Sequence, residues 1–152
     1  MVPERIEREI LIEAPVEVVW DVVTRPEHIS RWFGDAVELE LRPGGKAVLH
    51  FDGHGTIHGR VERVERPRLF SFRWVVDPDE ELAEGNSTLV EFRLAAVGGS
   101  TRLTVVESGF ADLARPDDEQ QRHVDGHTRG WEIELGELHE YVMRRQRASA
   151  DR

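Results

Sequence analysis

Two residues of this sequence combine an acid–base side chain with apolar surroundings. Glu107 continues the alternation of Leu103 and Val105, which predicts that its carboxylate faces the interior of a sheet. His127 lies one helical turn before Trp131, at the edge of an apolar stripe, where an imidazole can orient a ligand or act as a base. A buried carboxylate requires a raised pKa or a cationic partner. We therefore name Glu107 and His127 as candidate catalytic residues; the alternatives are a solvated glutamate at a frayed strand end and an ordinary core histidine.

The histidines could also be considered as metal ligands. His123 and His127 are four residues apart in a predicted helix, and Glu119 lies one turn earlier. A second group, around a predicted hairpin, comprises His50, His54 and His58. However, the His-Glu-x-x-His pattern is absent, and His123 and His50 fall on faces predicted to be outward. We predict neither a metal nor a cofactor.

Length and composition describe one soluble domain. The 152 residues are enough for a sizeable core, so we predict a single domain over residues 1–152 with an ordered core over about 5–147. The absence of cysteine excludes disulfides and thiol chemistry, and the net charge of −10 argues against nucleic acid as a partner. No apolar run approaches the roughly 20 residues of a membrane span, and no signal peptide is recognisable. We therefore predict a cytoplasmic protein.

Residues 117–147 are predicted to form one long amphipathic helix. Its apolar stripe consists of Val124, Trp131, Leu135, Leu138 and Val142. A proline and three carboxylates at its start, and three arginines near its end, suit the polarity of a helix. A helix of about 27 residues within this range would be about 40 Å long and must lie across a broad apolar surface.

The remaining chain alternates at the period of a sheet. A strand at residues 5–13 precedes two short helices, which begin near Pro15 and Pro26. About six strands follow between residues 35 and 107, the first of them extending from Asp35 to Arg42. Gly59, in the middle of a strand, predicts a bend or a close approach of another chain segment. Because the connecting turns are short, we predict an antiparallel sheet with one apolar face that the helices cover.

The order of several short motifs resembles that of a known superfamily. The motifs are residues 10–15 (ILIEAP) with 18–20 (VVW), 24–27 (TRPE) with 31–32 (RW), 43–45 (PGG), 70–74 (FSFRW), 108–110 (SGF) and 130–131 (GW). Together they resemble the START-like helix-grip superfamily, also called SRPBCC, and within it the bacterial single-domain relatives of the activator of heat-shock protein 90 ATPase. The resemblance implies an α+β, Bet v-like fold: a curved antiparallel sheet of six to seven strands wrapped around the long C-terminal helix, with two short helices after strand 1.

The resemblance also implies an apolar cavity between the sheet and the long helix. By alternation, the residues predicted to line it from the sheet are Leu39, Leu49, Phe51, Ile57, Phe70, Phe72, Trp74, Val90, Phe92, Leu103, Val105 and Glu107. From the helices and the segment after the last strand we add Trp20, Trp32, Phe33, Phe110, His127, Trp131, Leu135 and Leu138. The alternative is that all of these side chains simply form the core.

The function that we favour is that of a binding protein for a small hydrophobic or aromatic molecule, such as a lipid or a polyketide-like compound. The alternative is a cyclase or aromatase that acts on a polyketide-like substrate, with Glu107 and His127 as its acid–base residues. A third interpretation, a module that activates a chaperone ATPase, is disfavoured because such relatives usually carry a second domain. Because one fold serves several activities, the sequence leaves open the ligand, any reaction and the oligomeric state, including a homodimer.

Overall fold

The computed structural model describes residues 2–150, which form one antiparallel sheet and a set of helices on its concave side. The strands are β1 (Arg5–Ile12), β2 (Ala36–Leu39), β3 (Lys46–Phe51), β4 (Gly55–Glu65), β5 (Leu69–Val75), β6 (Ser87–Val97) and β7 (Ser100–Ser108). The helices are α1 (Val16–Thr24), α2 (Pro26–Trp32) and α3 (Asp117–Ala150), with a short 3-10 turn at Phe110–Asp112. The predicted order of elements is confirmed.

The sheet has the strand order β1-β7-β6-β5-β4-β3-β2, and every neighbouring pair is antiparallel. Strands β2 to β7 follow one another as sheet neighbours, joined by turns except for the longer loop of residues 76–86 between β5 and β6, whereas β1 pairs with β7 at the far side of the sheet. This pairing places the start of the chain beside the last strand, so α1 and α2 must cross from one edge of the sheet to the other. The predicted seven-stranded antiparallel sheet is confirmed.

Strand β4 approaches β5 very closely at Gly59. A Cβ atom at this position would lie 2.2 Å from the backbone oxygen of Arg73, a distance at which the two strands would have to separate. The register between β4 and β5 then shifts between Val61 and Arg63, and such bulges bend a strand and increase its twist. The close approach predicted for Gly59 is confirmed.

Strand β2 is shorter than its alternating sequence predicts. It ends at Leu39, and Leu41 lies outside it with 41% of its surface exposed. The reason is local hydrogen bonding, since the backbone N–H of Gly45 donates to the carbonyl of Arg42 and turns the chain back toward β3. The prediction of a strand as far as Arg42 was therefore wrong.

Helix α3 covers the apolar face of the sheet and runs three residues further than the predicted end at residue 147. The five residues of its predicted stripe are all buried: Val124, Trp131, Leu135, Leu138 and Val142. Burying each large apolar side chain is worth about 1.5–3 kcal/mol, so packing on the sheet holds this long helix in place. No helix within residues 2–150 has the length and apolar character that crossing a membrane requires.

Helices α1 and α2 close one end of the layer between α3 and the sheet. The indole N–H of Trp32 in α2 donates to the carbonyl of Val22 in α1 over 3.0 Å, which fixes the two helices relative to each other. Phe33, directly after α2, points between the sheet and α3 and contacts Trp131 with a centroid distance of 5.6 Å. Trp32 also contacts Phe92 of β6 with a centroid distance of 6.2 Å, so this end of the domain brings aromatic side chains of α2, α3 and the sheet together.

Candidate functional site

Glu107 is a fully buried carboxylate near the end of β7. Its side chain has no exposed surface, and its neighbours across the sheet are Val90 on β6 and Ile6 on β1. The alternation therefore continues through Glu107, since β7 extends to Ser108. The frayed, solvated glutamate considered as an alternative is not what the structure contains.

Four side chains donate hydrogen bonds to the Glu107 carboxylate. The indole N–H of Trp131 donates to Oε1 over 2.8 Å, and the indole N–H of Trp74 donates to Oε2 over 2.9 Å. The hydroxyl of Thr88 donates to Oε2, and Nδ1 of His127 lies 2.9 Å from Oε1 and 2.8 Å from Oε2. The four donors come from β5, β6 and α3, so this one carboxylate joins the sheet to the long helix.

These donors determine the charge of the carboxylate. Burial by itself raises the pKa of Glu107, but the hydrogen bond and charge of His127 and the hydrogen bonds from Thr88 and Trp74 outweigh burial, so the pKa lies below its ordinary value. The indole groups can only donate, which requires an acceptor opposite them. Glu107 is therefore ionised at neutral pH, although it is excluded from water.

The ionised carboxylate in turn orients the His127 ring. Because Glu107 is an acceptor, Nδ1 of His127 carries a proton and donates it to the carboxylate. The ring is wedged between Trp74 and Phe110, with centroid distances of 6.0 and 5.5 Å, and its side chain remains 20% exposed. Within the described residues Nε2 of His127 has no hydrogen-bond partner, which leaves this atom available to a molecule outside.

His123, one turn before His127, is not on an outward face as the sequence predicts. It is half-buried against His127, with a centroid distance of 5.9 Å, and its Nε2 lies 3.7 Å from Oδ1 of Asp77. The acidic loop after β5 packs against the start of α3 because Arg115 pairs with Asp77 and Glu80. Burial lowers the pKa of His123, as does the neighbouring His127, although Asp77 opposes the shift.

The space between sheet and helix is largely filled by aromatic side chains. An inner cavity there has a volume of only about 30 Å³, room for one or two waters, whereas ligand pockets usually occupy about 300–1,000 Å³. Phe33 contacts Phe51, Trp74 and Trp131, each with a centroid distance of 5.6 Å. The predicted apolar cavity therefore exists in this structure only as a small remnant, because these rings occupy its volume.

Open space lies instead at the mouth between the sheet and α3. We call the larger space, of about 210 Å³, the mouth cleft; it is lined by Phe33, Phe51, Trp74, Gly126, His127, Gly130, Trp131 and Glu134. An adjoining cleft of about 170 Å³ shares three of these residues and is also lined by Ile57, Val75 and Val76. Phe33 and Trp131 line both the mouth cleft and the inner cavity, so their rings separate the two spaces.

The structure divides the predicted ligand-binding residues into several groups. Those that line the mouth cleft or its neighbour are Phe33, Phe51, Ile57, Trp74, His127 and Trp131. Those that line the inner cavity are Trp32, Phe33, Leu39, Leu49, Phe70, Phe72, Phe92 and Trp131. The others line neither space: Val90, Leu103, Val105, Phe110, Leu135 and Leu138 pack in the core, Glu107 lies behind the indoles, and Trp20 borders a separate surface cleft beside α1. Their roles in ligand binding remain predictions.

Three residues of the mouth cleft were not predicted from the sequence: Gly126, Gly130 and Glu134. Their spacing did contain a signal, because steps of four residues place them on one side of the helix. Glu134 has neither a hydrogen bond nor an ion pair among the described residues, unlike Glu107. Burial, and secondarily the nearby carboxylate of Glu137, raises the pKa of Glu134 to about 7.

The histidine spacings do not form a metal site within the described part of the chain. Residues 2–150 contain no group of three or more histidine, aspartate or glutamate side chains that could hold an ion. His50 instead contacts the hydroxyl of Thr56, with its Nδ1 at 2.9 Å, and Glu38, with its Nε2 at 3.9 Å. His127 uses its Nδ1 for Glu107.

A curved antiparallel sheet that encloses a long C-terminal helix defines the helix-grip class of folds. Residues 13–143 match the family model described as activator of Hsp90 ATPase homolog 1-like protein. The chain therefore belongs to this family, as its motifs predict.

Solved structures confirm the fold. Protein MLL2253 of Mesorhizobium loti has a TM-score of 0.78 and 25% identity, with 92% of this chain and 97% of that chain covered. DynU16, a protein of the dynemicin biosynthetic locus, has a TM-score of 0.75 and 25% identity; 93% of this chain is covered, but it spans only 48% of DynU16. The Aha1 dimer of Colwellia psychrerythraea, at 16% identity, has a TM-score of 0.73 with 91% and 95% of the two chains covered, and shows that the same fold occurs in a dimer.

A curated enzyme shares a shorter segment. The bifunctional enzyme NanE/NanK of Brucella melitensis is 44% identical over 54 residues, which are 36% of this chain. The chain spans 10% of that enzyme's length, so this match supports no assignment of activity.

Replacing Glu107 by glutamine is expected to destabilise the protein by about 3 kcal/mol. The amide N–H groups of the glutamine are donors, and they would face the indole, hydroxyl and imidazole groups that now donate to the carboxylate. The buried network would also lose the negative charge of Glu107. Urea unfolding at pH 7 measures the change. The control Glu9→Gln, on the exposed surface of β1, should change the free energy of unfolding by less than about 0.5 kcal/mol. An equally small effect for Glu107→Gln would contradict the role assigned to this carboxylate.

Glu134 should make stability fall as the pH rises. Its pKa is raised in the folded state to about 7, so the folded protein holds the proton of Glu134 more tightly than the unfolded chain does. The stabilisation of the folded state by this proton is therefore complete below about pH 4.5 and is lost as the pH rises through 7. Because solvent screens a half-buried group, we expect a change of only about 1 kcal/mol. Urea unfolding between pH 4.5 and 8 should show that Glu134→Gln removes this slope, whereas Glu140→Gln, exposed on another side of α3, retains it.

Proposed function

We propose that this protein binds a small hydrophobic or aromatic molecule in the mouth cleft. The observation that carries the proposal is the combination of aromatic walls with one oriented polar group. Phe33, Phe51, Trp74 and Trp131 supply the walls, and His127 presents a ring that the buried Glu107 holds in place. Sites for small molecules typically combine apolar walls with a few positioned polar groups.

Two of the three glycines of α3, Gly126 and Gly130, support the same location. Glycine within a helix costs about 1 kcal/mol relative to alanine, so its presence requires another explanation. A Cβ atom at Gly126 or Gly130 would meet no atom within 4 Å, which means that close packing does not require glycine at either position. Both glycines line the mouth cleft, and the missing side chains leave it wider.

The size of the mouth cleft limits what it can hold without rearrangement. Its volume of about 210 Å³ lies below the usual range for drug-sized ligands, which suits a single aromatic ring system with a short substituent. A longer ligand would have to displace Phe33, whose ring stands between the mouth cleft and the inner cavity. Entry of such a ligand would enlarge the space at the expense of aromatic contacts.

Substitution of the glycines tests this location. A thermal-shift screen of fatty acids, flavonoids, steroids and linear polyketides should first identify a ligand; at 100 times its Kd, a ligand stabilises the folded state by about 2.7 kcal/mol. Gly126→Ala and Gly130→Ala should then weaken its binding at least tenfold, because each methyl group occupies the cleft. Gly136→Ala is the matched control, since it also lies in α3 with open space around its Cβ position but does not line the cleft.

All three variants should be as stable as the parent protein or more stable, because alanine favours the helix. Equal affinity of the ligand for the Gly130→Ala variant and the Gly136→Ala variant would place binding elsewhere. If no compound class changes the melting temperature, small-molecule binding itself loses its support.

A second candidate function is that of an enzyme of the cyclase or aromatase type, and the pairing of Glu107 with His127 favours it. A histidine whose Nδ1–H is held by a buried carboxylate can accept a proton at Nε2, and the carboxylate stabilises the imidazolium that forms. His127 would remove a proton from a carbon next to a ketone, leaving an enolate, and would return the proton later. Glu107 would act through His127 and remain ionised throughout.

Hydrogen–deuterium exchange tests this second candidate without knowledge of the natural substrate. In D2O, the protein should accelerate exchange of the protons next to the ketone of 2-tetralone, an aromatic probe followed by NMR. His127→Asn should reduce the acceleration at least 100-fold, since general bases contribute about 10²–10⁴-fold. His54→Asn, in the exposed turn between β3 and β4, should leave the rate unchanged. Exchange no faster than in buffer would remove the enzyme hypothesis and leave the binding function intact.

We infer in addition that residues 1–152 act as one domain in the cytoplasm. The continuous core shared by the sheet and all three helices supports a single domain, as does the family match over residues 13–143. The dimeric relative supports a homodimer as the assembly to test first.

A further inference from the structure

We propose that the mouth cleft selects an organic cation, an aromatic molecule that carries an ammonium group, with Glu134 as its counter-ion and aromatic rings around the charge. The inference rests on the proposed binding function and names the ligand class for that site. It follows from three features of the cleft: a carboxylate without a partner among the described residues, aromatic walls, and the absence of lysine and arginine from the residues that line it.

Glu134 is a half-buried carboxylate without a partner among the described residues. Other carboxylates of the protein have arginine partners within 4 Å, including Glu62, Glu91 and Asp77. Removing a carboxylate from water without a partner costs free energy, and an opposite charge placed beside it recovers that cost. Burial and Glu137 both favour the neutral form of Glu134 and raise its pKa to about 7, as expected for a group that still lacks its counter-ion.

The walls beside Glu134 suit a positive charge. Phe33 and Trp131 line the cleft together with Glu134, and Phe51 and Trp74 complete an aromatic group in which Phe33 lies 5.6 Å from each of the other three ring centroids. The faces of aromatic rings attract cations, and cages of such rings bind quaternary ammonium groups. An aromatic group of this kind next to a carboxylate offers a cation both interactions at once.

The remaining charges disfavour an anion. The residues that line the mouth cleft and its neighbour include neither lysine nor arginine. The net charge of −10 raises the local concentration of cations and lowers that of anions.

Glu134 lies seven residues after His127, which is about 10 Å along the helix. An ammonium group at Glu134 would therefore leave Nε2 of His127 free to bind the other end of the ligand.

A pair of isosteric probes tests the inference. Benzyltrimethylammonium and neopentylbenzene have the same shape but differ in charge, and quenching of tryptophan fluorescence at pH 8 reports their binding near Trp74 and Trp131. The cation should bind at least tenfold more tightly than the neutral probe. Glu134→Gln should abolish most of this preference by weakening the cation alone, whereas Glu140→Gln, with the same change in net charge on another side of α3, should leave both affinities within twofold of the parent protein.

The outcomes separate this inference from the proposed function. If the neutral probe binds as tightly as the cation, or if Glu134→Gln leaves the affinity for the cation unchanged, the selection for cations is overturned while apolar binding stands. If neither probe binds, the inference is also overturned, and the ligand screen with the Gly130→Ala variant decides the proposed function by itself. Urea unfolding of Glu134→Gln confirms that the variant is folded, since we expect it to be at least as stable as the parent protein at pH 8.

Discussion

The burial of one ionised carboxylate constrains the rest of the structure. Glu107 is excluded from water, which is tolerable only because hydrogen-bond donors surround both of its oxygens. The donors belong to two neighbouring strands and to α3, so the position of the helix on the sheet is fixed by polar geometry as well as by apolar contact. Hydrogen bonds depend on both distance and angle, so the bonds to this buried charge add a directional restraint to the apolar packing of the helix on the sheet.

This constraint also shapes the mouth cleft. Trp74 and Trp131 direct their indole N–H groups to Glu107, and their rings stack with a centroid distance of 5.9 Å and an angle of 24° between the planes. With both indoles held in place, Phe33 fills the space beside them and leaves only the small inner cavity. Open volume remains where α3 has glycine in place of a side chain. A polar network in the core therefore helps to determine where open space remains between the sheet and α3.

Two carboxylates of the same region illustrate how surroundings set charge. Hydrogen bonds lower the pKa of Glu107 despite complete burial, whereas partial burial, and secondarily the nearby carboxylate of Glu137, raises the pKa of Glu134 to about 7. The first group is satisfied within the fold and serves to orient its neighbours. The second has no partner among the described residues. This contrast shows that hydrogen-bond partners, and not burial alone, decide the direction in which the pKa of a carboxylate shifts.

The sequence by itself determined the elements and their apolar faces. Alternation with Leu103 and Val105 placed Glu107 on the inner face of β7, and the spacing from Val124 to Val142 placed the buried stripe of α3, because these patterns follow from backbone periods of two and 3.6 residues. Only the tertiary structure decided that four donors meet at Glu107, that aromatic rings fill the expected cavity, and that Glu134, beside the opening, has no partner among the described residues. These outcomes depend on distances and volumes between segments far apart in the chain, and periodicity within one segment contains no information about them.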